Sequence, residues 1–240
     1  MSSSERPGIG RLTEKLIKWT HLEPTAQTKE TVVKVNHLLE EGAVIVLDAH
    51  RQRFDMAATF FFLMEHFNPE VTMPAGGGDY YNRFLHPFFS AFKACPRIDF
   101  LPVFRDHREI DHPKSRDHAN IKQLAVPHSL ESGTLNRPYV KTVLQNRKTP
   151  GYILLTAAFG RPTIDPSMPA TKGAILFLQK GYPAVCALSL SRGIKCQTFL
   201  HPQIIQFHRQ DKVTEQELDN IIHQQHQELL KHAQVQIQGL

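Results

Sequence analysis

The sequence has little cysteine, a single tryptophan and no long apolar run. Its three cysteines among 240 residues are too scattered to form a disulfide framework or a C-x-x-C metal or redox pair. The longest apolar stretch, residues 56–64, falls far short of the ~20 residues that a membrane-spanning helix needs. The first ten residues are polar and lack the apolar core of a signal peptide. We therefore expect a protein of the reducing cytoplasm.

The charge balance is only mildly basic. Lysine and arginine total 28 against 23 aspartates and glutamates, which gives a net charge of +5, and 41% of the residues are hydrophobic. This composition excludes a disordered chain. The positive charge favours anionic partners but is too small to indicate nucleic acid, and we expect no nucleic-acid partner.

The N-terminal segment, residues 1–27, is amphipathic. Apolar residues recur at near-helical spacing over residues 11–22, with Lys15, Lys18 and Trp19 among them. A basic helix that carries tryptophan can rest on an anionic membrane, here the inner face. Packing against its own domain is the other interpretation, and the sequence leaves both open.

Residues 28–240 alternate between helical and strand patterns. Continuous β-branched and apolar runs predict buried strands at residues 43–47, 152–157 and 184–190. Residues 98–104 predict a further strand, in which Pro102 suggests an edge or a bend. Amphipathic spacing predicts helices at residues 28–41, 56–66, 118–145, 172–179 and 214–233. We expect a turn or loop at residues 74–78, a stop at Gly181, and a capping box between Thr214 and Glu217. The alternation indicates a single α/β domain with a mostly parallel mixed sheet flanked by helices.

The chemistry of such a sheet belongs at the carboxyl ends of its strands. Of the loops that this rule selects, residues 48–55 hold the most informative pattern, His50 followed five residues later by Asp55. A histidine there can act as a general base toward a hydroxyl, and the carboxylate can orient the imidazole and stabilise the imidazolium. A helix-capping aspartate beside an unrelated histidine is the alternative interpretation.

The same segment resembles the first motif of the glycerophospholipid acyltransferase family. The resemblance extends over four stretches in the family's order, with a further stretch that follows the third motif. They are Val44–His50 with Asp55, residues 79–105, residues 158–162 followed by residues 171–174, and residues 181–185.

The sequence departs from the family pattern in two motifs. Ala49 replaces the usual asparagine before the histidine, and Arg51 and Gln52 replace a Gln-Ser pair after it. In the third motif, Phe159 stands where the family has a glutamate that helps to hold the glycerol-phosphate acceptor. These changes leave the histidine–aspartate pair intact but put the acceptor in question.

The resemblance implies an acyltransferase-like fold and an O-acyltransferase activity. An acyl thioester of coenzyme A or acyl carrier protein would donate its acyl group to a hydroxyl of a phosphorylated or lysolipid acceptor, with no further cofactor and no metal. His50 would be the general base, oriented by Asp55. The residues expected to bind substrate are Arg105, Gly160, Arg161, Lys172 and Gly173. Each of these has a plain interpretation too, as a surface cation or a turn residue.

Two other functions remain open on the same scaffold. A non-catalytic protein that binds an acyl thioester or lysophospholipid would explain Phe159, and a thioester hydrolase would replace the acceptor with water. The aromatic residues of 60–62 and 84–92 are candidates for an acyl trough or for ordinary core. Three Asp-His pairs at residues 106–118 have spacings that do not set one helical face, so we expect a solvated loop there. His223, His226 and His232 lie in a glutamine-rich helix and are expected on its exposed surface.

Overall fold

The computed structural model describes residues 22–49, 55–67, 69–76, 98–104, 134, 136–159, 168–192, 195–207 and 211–238. These residues contain six β-strands and five α-helices, which confirms the α/β class. The elements in chain order are α1 (Ala26–Glu41), β1 (Val44–Asp48), α2 (Asp55–His66), β2 (Glu70–Gly76), β3 (Ile98–Val103), α3 (Arg137–Gln145), a 3-10 turn (Asn146–Lys148), β4 (Tyr152–Ala157), α4 (Lys172–Gln179), β5 (Ala184–Arg192), β6 (Lys195–Leu200) and α5 (Glu215–Gln238).

The chain divides into two compact units. The first comprises Met1–Pro69 and Arg147–Leu240, and the second comprises Glu70–Asn146. The first unit holds β1, β4, β5 and β6 with four of the helices, and the second holds β2, β3 and α3. The predicted boundary between an N-terminal segment and a domain from residue 28 stays a prediction, since residues 1–21 lie outside the described part of the chain.

Strand β1 is the centre of the first unit. It pairs in parallel with β4 on one side, where Val46 lies opposite Leu155, and with β5 on the other, where Val46 lies opposite Val185. All five of its residues are buried, as its unbroken apolar sequence predicts for a strand covered on both faces. Strand β6 adds to β5 in the antiparallel direction. The expected mostly parallel mixed arrangement is present in this unit.

Helices cover both faces of these strands. The side chain of Thr198 on β6 belongs to a hydrogen-bonded chain that reaches α2, whereas the ring of the next residue, Phe199, contacts His232 of α5. Because successive side chains of a strand point to opposite faces, α2 and α5 lie on opposite faces of the sheet. Helix α4 packs beside α5.

Helix α1 shows why its sequence forms a helix and stops. The Thr25 hydroxyl caps it by accepting a hydrogen bond from the backbone N–H of Thr28 at 3.2 Å. Its buried residues, Thr28, Thr31, Val35 and Leu39, recur at helical spacing. The helix ends at Gly42, which lies so close to a neighbouring segment that a Cβ atom there would be 2.9 Å from the carbonyl oxygen of Arg147.

The second unit contains a short parallel pair. β2 runs beside β3 in a register that places Val71 opposite Ile98 and Pro74 opposite Leu101. Asn136, just before α3, clamps the end of β3: its side chain accepts from the Phe104 N–H at 2.8 Å and donates to the Phe104 carbonyl at 2.7 Å. This reciprocal pair fixes the backbone of the residue that precedes Arg105.

Most predicted elements of the first unit are confirmed to within a few residues, including the 152–157 strand, the 172–179 helix and the Thr214–Glu217 capping box. Gly181 follows α4 at a φ of 77°, a conformation that favours glycine, which confirms the predicted stop. The 118–145 helix is described only in its last third, as α3. The turn expected at residues 74–78 is wrong for Pro74 to Gly76, which belong to β2. Strand β6 was not predicted.

We predict that Gly42→Ala destabilises the protein. The added methyl group would meet a backbone carbonyl that cannot rotate away, and overpacking of this kind costs about 1–3 kcal/mol. Chemical denaturation measures the change in the free energy of unfolding. Gly173→Ala is the matched control, because nothing lies within 4 Å of a Cβ atom at that position. Equal stability of the two variants would contradict the close approach at Gly42.

Candidate functional site

The carboxyl ends of β1 and β4 and the start of α4 lie together in the first unit. The Ala158 N–H donates to the carbonyl of Asp48 at 2.8 Å, and the Thr171 N–H donates to the carbonyl of Ala158 at 2.8 Å. On the other side of β1, the Ala49 N–H donates to the carbonyl of Ala187 at 2.9 Å. These bonds converge at the strand edge where ligands bind in open α/β sheets, and the H-x-x-x-x-D segment continues from Ala49.

Asp55 is the first residue of α2 and is 2% exposed. Its place at a helix N-terminus stabilises the negative charge, because backbone N–H groups and the helix dipole point toward it. Burial and, to a smaller extent, the charge of Asp55 raise the pKa of the Cys196 thiol on β6 to about 11. Asp55 is therefore a buried carboxylate whose charge is felt on β6.

Several predicted site residues lie outside the described part of the chain: His50, Arg105, Gly160 and Arg161. Of the described ones, Lys172 and Gly173 open α4, where Lys172 is exposed. The Thr171 hydroxyl caps this helix by accepting from the Ala174 N–H at 3.3 Å. Because Thr171 also bonds to Ala158, which bonds to Asp48, the structure places Lys172 and Gly173 at the same end of the sheet as the end of β1.

Phe159 is part of the core. The residue is buried, and its ring stacks on the imidazole of His223 with the centroids 4.5 Å apart. The His223 Nε2 atom lies 2.7 Å from the carbonyl oxygen of Met168. The position aligned with the acceptor-binding glutamate of the family is therefore an aromatic packing contact between the end of β4 and α5.

The histidines of α5 were expected on its surface, and this expectation is wrong for His223 and His226. Both are buried, and the His226 ring packs beneath β1 with Nε2 2.9 Å from the Leu47 carbonyl oxygen and Nδ1 2.9 Å from that of Ile222. The signal was present in the sequence: His226 lies four residues after Ile222 and three before Leu229, on the apolar face of the helix. The abundance of glutamine obscured it.

A chain of buried polar side chains crosses the opposite face of the sheet, and no sequence pattern indicates it. The Thr59 hydroxyl of α2 donates to the Asp48 carboxylate at 2.7 Å and also lies 2.8 Å from the Ser189 hydroxyl of β5. Ser189 lies 2.8 Å from the hydroxyl of Thr198 on β6. All four residues are buried. The chain joins the last residue of β1 to α2 one turn beyond Asp55.

Phe60 and Phe62, two candidates for an acyl trough, are buried core residues of α2, and residues 84–92 lie outside the described part. Cavities of about 650 and 570 Å³ open elsewhere in the first unit, one between the start of α1 and the end of α5 and one beside the start of α5. Neither is lined by Asp55, Lys172 or Gly173.

Metal-ligand groups of three or more histidine, cysteine or acidic residues do not occur among the residues that the structure describes, and the Asp-His pairs of 106–118 fall outside them. Within the same residues, no helix is both long and apolar enough to cross a membrane. The chain matches none of the protein-family models and none of the curated proteins with which it was compared.

We predict that His226 makes the folded state sensitive to mild acid. Burial lowers the pKa of His226 from its usual 6.5 to about 4, despite the opposing effect of the two carbonyl contacts. The unfolded chain therefore takes up a proton in a pH range where the folded chain does not. The free energy of unfolding should fall as the pH drops from about 6.5 to 4, by up to about 3 kcal/mol from this residue.

Urea denaturation at half-unit pH intervals checks this sign. The slope of the unfolding free energy against pH reports how many protons are taken up on unfolding. In His226→Gln, this number should decrease by up to one between pH 4 and 6.5. His37→Gln, which changes an exposed histidine of α1, should leave the slope unaltered. An unchanged slope in His226→Gln would show that another group takes up the proton.

Proposed function

We propose that this protein is an O-acyltransferase that moves a fatty acyl group from a thioester, on coenzyme A or acyl carrier protein, to a hydroxyl of a glycerol-phosphate or lysophospholipid-like acceptor. The observation that supports it best is the placement of Asp55. This carboxylate is buried at the head of α2, the helix that follows the H-x-x-x-x-D segment out of the central strand. The proposal adds to this placement the motif resemblance seen in the sequence.

His50 acts as the general base in this proposal. Its imidazole takes the proton from the acceptor hydroxyl as the oxygen attacks the thioester carbonyl, and a tetrahedral intermediate forms. The carbon–sulfur bond then breaks, and the imidazolium returns the proton to the departing thiolate. Asp55 holds the imidazole in the required tautomer and stabilises its positive charge. A carboxylate that is 2% exposed exerts this effect with little screening by water.

The start of α4 suits the phosphate of the acceptor or donor. Lys172 supplies an exposed positive charge, the helix N-terminus adds its dipole, and no other described segment comes within 4 Å of a Cβ atom at Gly173. The bond between Thr171 and Ala158 keeps this helix end at the carboxyl edge of β4. In the proposal, Gly160 and Arg161 complete the anion site, and the protein works in the cytoplasm or at the inner face of a membrane.

Phe159 favours two other candidate functions. One is a protein that binds the acyl thioester without transferring the acyl group, and the other is a thioester hydrolase. Phe159 has no carboxylate, and its ring is buried against His223. This position therefore cannot hold a polyol acceptor as a glutamate would. The two candidates differ from acyl transfer in their dependence on the acceptor. Transfer releases thiol faster when glycerol 3-phosphate or lysophosphatidic acid is added, hydrolysis releases thiol without either, and a binding protein releases none.

We predict that His50→Ala lowers the rate of acyl transfer by about 10²–10⁴-fold, the usual contribution of a general base. Asp55→Asn keeps the shape of the side chain but removes its charge. Its rate of acyl transfer should lie between that of His50→Ala and that of the wild type. Thiol release from palmitoyl-CoA with each acceptor measures the rate. His37→Ala is the matched control, since its exposed ring on α1 pairs only with Glu40 in the described structure.

Both site variants should retain the circular dichroism spectrum of the wild type. If His50→Ala transfers acyl groups at the wild-type rate, His50 is not the general base, and the activity proposed for this site is contradicted. A rate for Asp55→Asn equal to that of the wild type would limit Asp55 to a structural role.

A further inference from the structure

The buried hydroxyls beneath α2 have an arrangement that goes beyond packing. We propose that Thr59 is a positioning residue: by bonding to Asp48 and Ser189, it fixes the rotation of α2 against β1 and β5 and so sets Asp55 against His50. This inference rests on the proposed function and deepens it. No substrate contact is assigned to Thr59.

The geometry of α2 makes the connection direct. Asp55 and Thr59 are four residues apart on the helix, so their side chains project from the same face, one turn from each other. The two are 2% and 0% exposed. A rotation of α2 that broke the 2.7 Å bond between Thr59 and Asp48 would move Asp55 by a similar angle.

The direction of every bond in the chain follows from proton counting. A hydroxyl has one proton, and the Thr59 hydroxyl donates its proton to the Asp48 carboxylate. Ser189 must therefore donate to Thr59, and Thr198 must donate to Ser189. The order of donors is fixed from β6 to β1, and Thr59 has no alternative acceptor within this chain.

The partners of Thr59 are themselves anchored. Asp48 is the last residue of β1, and the backbone groups at that strand end bond to Ala158 and Ala187. Ser189 lies within β5, paired with Thr198 of β6. Thr59 thus ties the helix to two strands that cannot shift independently. His50 and Asp55 both lie in the segment between Asp48 and Thr59, whose two ends this bond joins.

A purely structural need would not require these groups. Replacing both partners of a buried hydrogen bond with apolar side chains of the same shape is often neutral or stabilising. What the polar chain adds is a directional constraint, because a hydrogen bond weakens steeply with angle whereas apolar contact does not. Such precision matters for catalysis, since a displacement of ~1 Å can lower a rate about 100-fold.

The test compares Thr59→Val, which removes the hydroxyl at nearly constant shape, with Thr59→Ser, which restores it. Thr31→Val is the matched control: Thr31 is also 0% exposed and in a helix, where its hydroxyl donates to the Gln27 carbonyl at 3.0 Å. Three quantities are measured for each variant: kcat and KM for palmitoyl-CoA with the acceptor, the free energy of unfolding, and the pKa of the His50 imidazole by NMR without substrate.

Thr59→Val should lower kcat at least tenfold with KM changed less than about twofold, and should lower the pKa of His50 by about one unit, a tenfold change in proton affinity. Thr59→Ser should return both to near the wild-type values. Thr31→Val should lower the free energy of unfolding but leave kcat and the pKa of His50 unchanged. If Thr59→Val does not fold, Ser189→Ala, which removes the donor to Thr59 and also the acceptor of the Thr198 hydroxyl, should shift the same two quantities by a smaller amount.

A His50 pKa in the folded variants equal to that of the wild type would overturn the positioning role of Thr59. This readout needs no turnover. If the wild type transfers no acyl group, the proposed function fails, and the titration of His50 still decides whether Thr59 sets the environment of the pair.

Discussion

The parallel pairing of β1 with β4 and β5 is the constraint on which the first unit depends. The register of a strand that is buried on both faces is strongly specified. If β1 shifted by one residue against β4 and β5, Asp48 would face α5 and Leu47 would face α2. The register fixes where the strand ends and therefore where the following segment begins. Asp48 then bonds to Thr59, so one hydrogen bond joins two residues that lie on either side of the H-x-x-x-x-D segment in the sequence.

The two faces of this strand carry different polar contacts. Toward α2, the Asp48 carboxylate accepts a hydrogen bond from the Thr59 hydroxyl, and toward α5, the carbonyl oxygen of Leu47 lies 2.9 Å from Nε2 of His226. Burial lowers the proton affinity of His226, and the ring of Phe159 stacks on that of His223. The departure from the acyltransferase motif at Phe159 thus coincides with the packing of α5. In our proposal, recognition of the acceptor shifts from a carboxylate at this position to the positive charge at α4.

The sequence predicted those parts of the fold that depend on local pattern. The apolar run of β1, the capping box at Thr214 and the stop at Gly181 need only neighbouring residues, and all are present. The end of β2, Pro74 to Gly76, has the proline and glycine of a turn, and the pairing with β3 makes it part of a strand. The Thr59–Ser189 contact joins residues 130 positions apart, which no local pattern can reveal. The site was therefore located by topology, whereas its supporting chain required the structure.

Mass spectrometry of the products formed from palmitoyl-CoA with a carbon-13-labelled acyl chain tests the central claim most directly, when glycerol 3-phosphate and lysophosphatidic acid are offered as acceptors. Our account predicts a labelled acyl ester of one acceptor, formed in proportion to the thiol released. Labelled palmitate as the sole product, or thioester recovered intact with every acceptor, would contradict it.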